Sequence, residues 1–175
     1  MNDVQSYIFK TKWGFVGLAW DFSGVRQITL PDPTFETCRK RLVSNYLHRT
    51  FKKVPKKIQS LSTLVKRYFA GEKIRFSREI DFNWQGLTPL QIKVLTKAFE
   101  IPYGKTLTYS ELAEKSGFPG AARFVGNTLG KNPFLLLVPC HRIIAKNKSL
   151  GGFSAPQGKK MKQKMLQLEH CNLYG

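Results

Sequence analysis

The chain has 175 residues, 42% of them hydrophobic, with 29 Lys and Arg against 11 Asp and Glu, a formal charge of +18 at pH 7. That length fits one domain or two small ones, with apolar content enough for a packed core. An excess of one sign spread along the chain indicates a polyanionic partner, nucleic acid foremost, and argues against the mixed-sign surface of a thermophile.

In chain order, Tyr7–Phe9, Phe15–Trp20 and Val25–Leu30 are short, aromatic and β-branched. Trp13-Gly14 and Asp21-Phe22-Ser23-Gly24 supply turns between them, so an antiparallel meander is expected. Pro31-Asp32-Pro33-Thr34 closes it and starts a helix over about 35–46, in which Cys38 falls on the apolar stripe as a core residue. His48–Lys57 is basic, contains a proline and reads as a loop. A second helix over 58–70 places Ile58, Leu61, Val65 and Phe69 on one face, and Gly71 stops it. Ile80-Asp81-Phe82 is expected to return as a strand.

Leu87-Thr88-Pro89 marks a boundary, which predicts an N-terminal α/β domain over 1–86 and a mostly helical domain over 87–175. Thr88 caps a helix to about Phe99, with Pro89 at its first position. Thr108 caps a second, 109–115, with Glu111 completing a capping box. Gly117-Phe118-Pro119-Gly120 then turns the chain into a helix over 121–129. Two short helices joined by a tight Gly-containing turn have the pattern of a helix-turn-helix. The second is built mostly of small residues, Ala121, Ala122, Gly126, Asn127 and Thr128, around Arg123, and small side chains allow close approach to a partner. A last helix over 159–168 sets Met161, Met165, Leu166 and Leu168 inward, with lysines and glutamines outward.

The chemistry gathers at Leu135–Ile144, where Pro139-Cys140-His141-Arg142 interrupts two apolar runs. Such runs are normally buried strands, and a proline cannot donate to a ladder. The expectation is a thiol held at a strand end over a cleft. Cys38, Cys140 and Cys171 are far apart and lack a Cys-x-x-Cys pair, so neither a disulfide framework nor a zinc site is expected, and no cofactor. No apolar run is long enough to span a bilayer, so the reading is a cytoplasmic protein without a membrane partner.

Pro139-Cys140-His141-Arg142, with Asn132-Pro133 before it and Gly151-Gly152-Phe153-Ser154 after it, resembles the active-site signature of the O6-alkylguanine-DNA alkyltransferases. Ile101-Pro102-Tyr103-Gly104, Thr108–Ala113 and Ala121–Gly126 match that family in the same order. The resemblance covers about residues 80–170. It implies a ribonuclease-H-like sheet with helices in the N-terminal domain and a winged helix-turn-helix in the C-terminal one. It further implies a monomer bound to double-stranded DNA carrying O6-alkylguanine, with O4-alkylthymine a further candidate lesion.

By the same resemblance, Cys140 is the alkyl acceptor, His141 its base through a bridging water, and Glu169 the carboxylate orienting His141. Tyr109 contacts the flipped guanine and crowds its phosphate. Asn132 hinges the helix to the active-site strand, and Arg123 fills the gap left in the duplex. Ala121, Ala122, Gly126 and Thr108 are placed at the DNA, and Val138, Pro139, Phe153, Ser154 and Ala155 around the base. The competing reading is a non-catalytic protein that flags alkylated DNA, against which Cys140 itself speaks. A Cys-His hydrolase would need an oxyanion hole, and no motif supplies one.

Overall fold

The computed structural model describes residues 4–43, 48–49, 54–77, 79–155 and 157–171. The chain divides into two compact units, Met1–Gln85 and Gly86–Gly175, and has a mixed α/β fold.

The first unit is built on β1 (Val4–Thr11), β2 (Gly14–Asp21) and β3 (Gly24–Ile28), an antiparallel meander with registers such as Phe9↔Val16 and Leu18↔Ile28. The β1–β2 turn requires its glycine. Gly14 has φ +134°, and a Cβ there would lie 2.4 Å from the Asp32 carbonyl oxygen. From Val16 to Asp21, β2 is buried without interruption, because both faces of the sheet are covered. Helix α1 (Phe35–Val43) lies over the Gly17 face, where an added Cβ would meet Leu42 at 3.0 Å and Cys38 at 3.2 Å. The opposite face, through Phe9, meets Lys66 of α2 (Lys56–Phe69). Ile58, Leu61, Val65, Tyr68 and Phe69 make the buried stripe of α2.

Two expectations change in this unit. The loop expected over 48–57 contains β4 (His48–Arg49), parallel to β1 at Val4 and Gln5, and α2 begins at Lys56. An edge strand is held by backbone hydrogen bonds, so a basic sequence is no bar to it. Ile80–Phe82 forms an isolated bridge rather than a strand: Val25 N donates to Asp81 O at 2.7 Å and Asn83 N to Val25 O at 2.8 Å. The expected extension of α1 to Tyr46, and the loop over 50–53, lie outside the described residues.

The second unit begins with α3 (Pro89–Phe99), whose Thr88 and Gln91 form a reciprocal capping box. After β5 (Leu107–Thr108), helix α4 (Tyr109–Lys115) starts with a second such box: Glu111 N donates to Thr108 Oγ1 at 3.2 Å and Thr108 N to Glu111 Oε2 at 2.6 Å. Gly117 and Gly120, both with positive φ, turn the chain into α5 (Ala122–Gly130). Strand β5 pairs parallel with β6 (Ile143–Ile144), Leu107 opposite Ile143 and Thr108 opposite Ile144. That pairing brings the start of α4 beside the segment carrying Cys140. Helix α6 (Lys159–Leu168) buries Met161, Met165 and Leu166.

The apolar run before Cys140 is not a strand. Leu135–Leu137 form a turn, with Leu136 at φ 71°, and Cys140–Arg142 form one turn of 3-10 helix that leads into β6. A short buried apolar run carries no periodicity that separates strand from turn. What fixes the turn is a side chain: Asn132 donates to Val138 O at 3.0 Å and accepts from Phe134 N at 2.9 Å.

Candidate active site

Cys140 is buried at 5% exposure and lines a cavity of about 460 Å³. Tyr109, Gly126, Leu129, Gly130, Gly152, Phe153 and Ser154 complete its walls. Tyr109, the first residue of α4, packs 3.7 Å from where a Cβ on Gly126 would sit, so glycine in α5 sets the width there. Its hydroxyl donates to Gly152 O at 3.4 Å. Gly151 is held at φ +66°, and a Cβ there would lie 2.9 Å from the Tyr109 hydroxyl.

Behind the thiol runs a chain of buried polar groups. His141 Nε2 lies 2.8 Å from Glu169 Oε1, with both side chains fully buried. Arg142 grips the same carboxylate at 2.8 and 2.9 Å and donates to Ile101 O at 2.6 Å. Gly104 N adds a fourth hydrogen bond to Glu169 at 3.2 Å. Burial on its own would raise the Glu169 carboxyl; hydrogen bonds from His141 and Arg142 outweigh it and hold the group ionised, well below the usual carboxylate range. Burial keeps His141 neutral, shifted down against the pull of Glu169. With Nε2–H donating to the carboxylate, Nδ1 is the basic nitrogen, buried and with no hydrogen-bond partner among the described residues.

The thiol itself is pushed up by burial, an effect opposed by the Asn132 side chain and by the charge of Lys162. Lys162 is a residue the sequence reading set outward on α6; it is fully buried, with Nζ donating to Ile143 O and lying 3.5 Å from Gly152 O. Its spacing with Met161, Met165 and Leu166 on one helical face was the available signal. Leu129, Gly130 and Gly152 were also missed as cavity walls.

Of the residues chosen from sequence, Tyr109, Gly126, Cys140, Phe153 and Ser154 meet around the cavity, with His141, Glu169 and Asn132 behind or beneath the thiol. Val138, Pro139 and Ala155 are buried without lining it. Ala121 and Ala122 stand half-buried at the start of α5, with Arg123 exposed beside them; Thr108 caps α4. Among the described residues no three His, Cys, Asp or Glu side chains cluster as metal ligands. A cavity of about 510 Å³ in the first unit is lined by neither cysteine nor histidine.

Residues 89–171 match the family model described as the DNA binding domain of 6-O-methylguanine DNA methyltransferase. An inducible methylated-DNA–protein-cysteine methyltransferase of Bacillus subtilis is 36% identical over 168 residues, 96% of this chain and 86% of that protein. The chain belongs to the methylated-DNA–protein-cysteine methyltransferase family. Another member, from Methanothermobacter thermautotrophicus, is 31% identical over 160 residues, 91% of this chain and 82% of its own length. Among solved structures, a Mycobacterium tuberculosis family member in complex with DNA superposes with a TM-score of 0.78 at 28% identity, covering 95% of this chain and 92% of that one. The match to the methyltransferase family model takes in α3, α4, α5, the Cys140 turn and Glu169.

Proposed function

We propose that Cys140 is the alkyl acceptor of this chain and that the groups around it divide the reaction between them. The protein is a methylated-DNA–protein-cysteine methyltransferase, which repairs DNA by moving an alkyl group onto a cysteine. The observation that carries the assignment is a thiol lining an open cavity while the next residue belongs to a buried His141–Glu169–Arg142 chain.

In the proposed sequence, His141 Nδ1 takes the Cys140 proton, through a water between them, while Glu169 holds the imidazole and stabilises its charge. The thiolate attacks the alkyl carbon in line. The S–C bond forms as the C–O6 bond breaks, and the electron pair leaves with guanine, towards which the Tyr109 hydroxyl donates. A thioether has no leaving route, so each chain reacts once. A protein that only flags lesions has no use for this proton path, which disfavours the non-catalytic reading.

For the lesion to reach the thiol it must leave the duplex. Exposed Arg123 and the small residues Ala121, Ala122 and Gly126 on α5 support minor-groove docking of a helix-turn-helix formed by α4 and α5, with β5–β6 as the start of a wing. The 3-2-1-4 order of the first sheet, with the fourth strand parallel to the first, supports the ribonuclease-H-like reading. No described helix is long and apolar enough to cross a membrane. A cytoplasmic monomer acting on double-stranded DNA with O6-alkylguanine or O4-alkylthymine completes the proposal.

Replacing Arg123 tests the flipping step. Arg123→Ala should slow single-turnover repair of duplex O6-methylguanine by about a hundredfold, since a few kcal/mol of unstacking goes uncompensated, and leave reaction with free O6-benzylguanine almost unchanged. Equal losses on both substrates would remove Arg123 from this role.

A further inference from the structure

Lys162 has none of its surface exposed. An ammonium at that depth is unfavourable unless acceptors or a charge compensate it. Among the described residues no carboxylate pairs with it; Nζ donates to Ile143 O and lies 3.5 Å from Gly152 O. Two rings bracket it, Tyr109 with its centroid at 6.0 Å and Phe153 at 5.8 Å. Both rings line the cavity of Cys140, and Ile143 directly follows the turn that carries the thiol. The two carbonyl oxygens fix the charge in place without neutralising it.

We infer that Lys162 is a positioning residue for alkyl transfer: its ammonium, fixed behind the Tyr109 and Phe153 walls, supports the charged form of Cys140. The inference rests on Cys140 being the acceptor. The titratable groups facing Nζ are Cys140 and His141 from the 3-10 turn, Tyr109 from α4 and Lys159 from its own helix. Burial lowers Lys162 to about 8 from 10.5, while the Cys140 charge pulls it back up. The coupling is reciprocal, so whatever Lys162 does for the thiolate, the thiolate does for Lys162.

Two consequences follow. The transfer rate should rise with pH as the thiol ionises, then stop rising near pH 8, where Lys162 loses its proton. Alkylation removes the thiolate for good, so Lys162 should release its proton at lower pH in the reacted protein.

The test uses Lys162→Met, which keeps the stem and removes the charge. Removing a buried ammonium that no carboxylate pairs with also removes its desolvation cost, which offsets the lost hydrogen bond to Ile143 O, so the variant is expected to fold. Single-turnover rates with free O6-benzylguanine and iodoacetamide labelling of the Cys140 peptide would be followed across pH. Lys162→Met should react about tenfold more slowly at neutral pH and shift the thiol profile alkaline by about one unit. Lys162→Arg should recover most of that rate, and duplex affinity should not change. Superimposable profiles for Lys162→Met and the wild type, or equal losses in both variants without a shift, would overturn the inference.

Should Lys162→Met fail to fold, an NMR titration of Lys162 Nζ in the wild type decides the matter. A downward shift after reaction with O6-methylguanine duplex supports the coupling, and an unmoved titration overturns it. If the wild-type chain transferred no alkyl group, the acceptor assignment would fail, while iodoacetamide labelling would still read whether Lys162 lowers the thiol.

Discussion

Cys38 and Cys140 sit in different units and are almost equally hidden, at 0% and 5% exposure. Burial raises both thiols, Cys38 to about 11. Around Cys38 the space is filled. The Thr29 hydroxyl lies at 3.6 Å, a Cβ on Gly17 would come within 3.2 Å of the sulfur, and the charges that reach the thiol, Asp32 and Arg41, are paired with each other and oppose one another in effect. Cys140 opens instead on about 460 Å³ of cavity, with the Asn132 amide and the Lys162 charge acting on it and the His141–Glu169 pair next in the chain. Burial therefore does not distinguish a packed thiol from a reactive one. A base, a fixed cation and room for a substrate do.

The sharpest way to break this contrast is to exchange the two sites' fates. Cys140→Ser should abolish alkyl transfer while leaving duplex binding, because an alcohol is a far weaker nucleophile at neutral pH. Cys38→Ala should keep the transfer rate within about twofold and lose about 1–2 kcal/mol of stability, read by denaturant unfolding, as a small core truncation does. Transfer surviving Cys140→Ser would reverse the assignment of the two thiols.

Glu169→Gln should come next in size. It leaves Arg142 buried without its counter-charge, which should cost about 3–5 kcal/mol of stability. It also removes the group that orients His141, so single-turnover rates should fall and the pH–rate profile of Cys140 should move alkaline. An unchanged profile would mean that the relay plays no part. Beside Cys38, whose partners are the Thr29 hydroxyl and the opposed charges of Asp32 and Arg41, the matching substitution, Thr29→Val, should leave alkyl transfer unchanged.

The smallest effect is on stability in acid. His141 and Glu169 are both shifted down in the folded chain, so the unfolded chain binds more protons as pH falls. Stability should begin to drop below about 6.5 through His141 and further below about 4.5 through Glu169, by at most about 1.4 kcal/mol per pH unit for each group. His141→Gln should remove the first of these steps in a thermal melt series. Its persistence would place the titration elsewhere.

How much of this was legible in the sequence varies with the length scale of the cause. The meander, the cap at Thr88, the Thr108–Glu111 capping box and the stop at Gly71 were readable, because turn glycines and cap residues act within three or four positions. The pairing of His48–Arg49 with β1 was not, since a two-residue edge strand has no pattern of its own. The turn before Cys140 was misread as a strand because Asn132, six residues back, holds Val138 through its side chain. Cys140 and His141 stood out where they interrupt two apolar runs, but Glu169 was found only through a resemblance, because the pair it makes with His141 joins residues 28 apart. Lys162 was overlooked because its type says surface, while its place on the Met161–Met165–Leu166 face says core.

The most direct test of the central claim is a mass spectrum of the intact chain and its peptides after mixing with excess O6-methylguanine duplex. The expected result is the gain of one methylene per chain, on the peptide bearing Cys140, with no further change on longer incubation. Label on the Cys38 or Cys171 peptide, or repeated turnover from one chain, would contradict it.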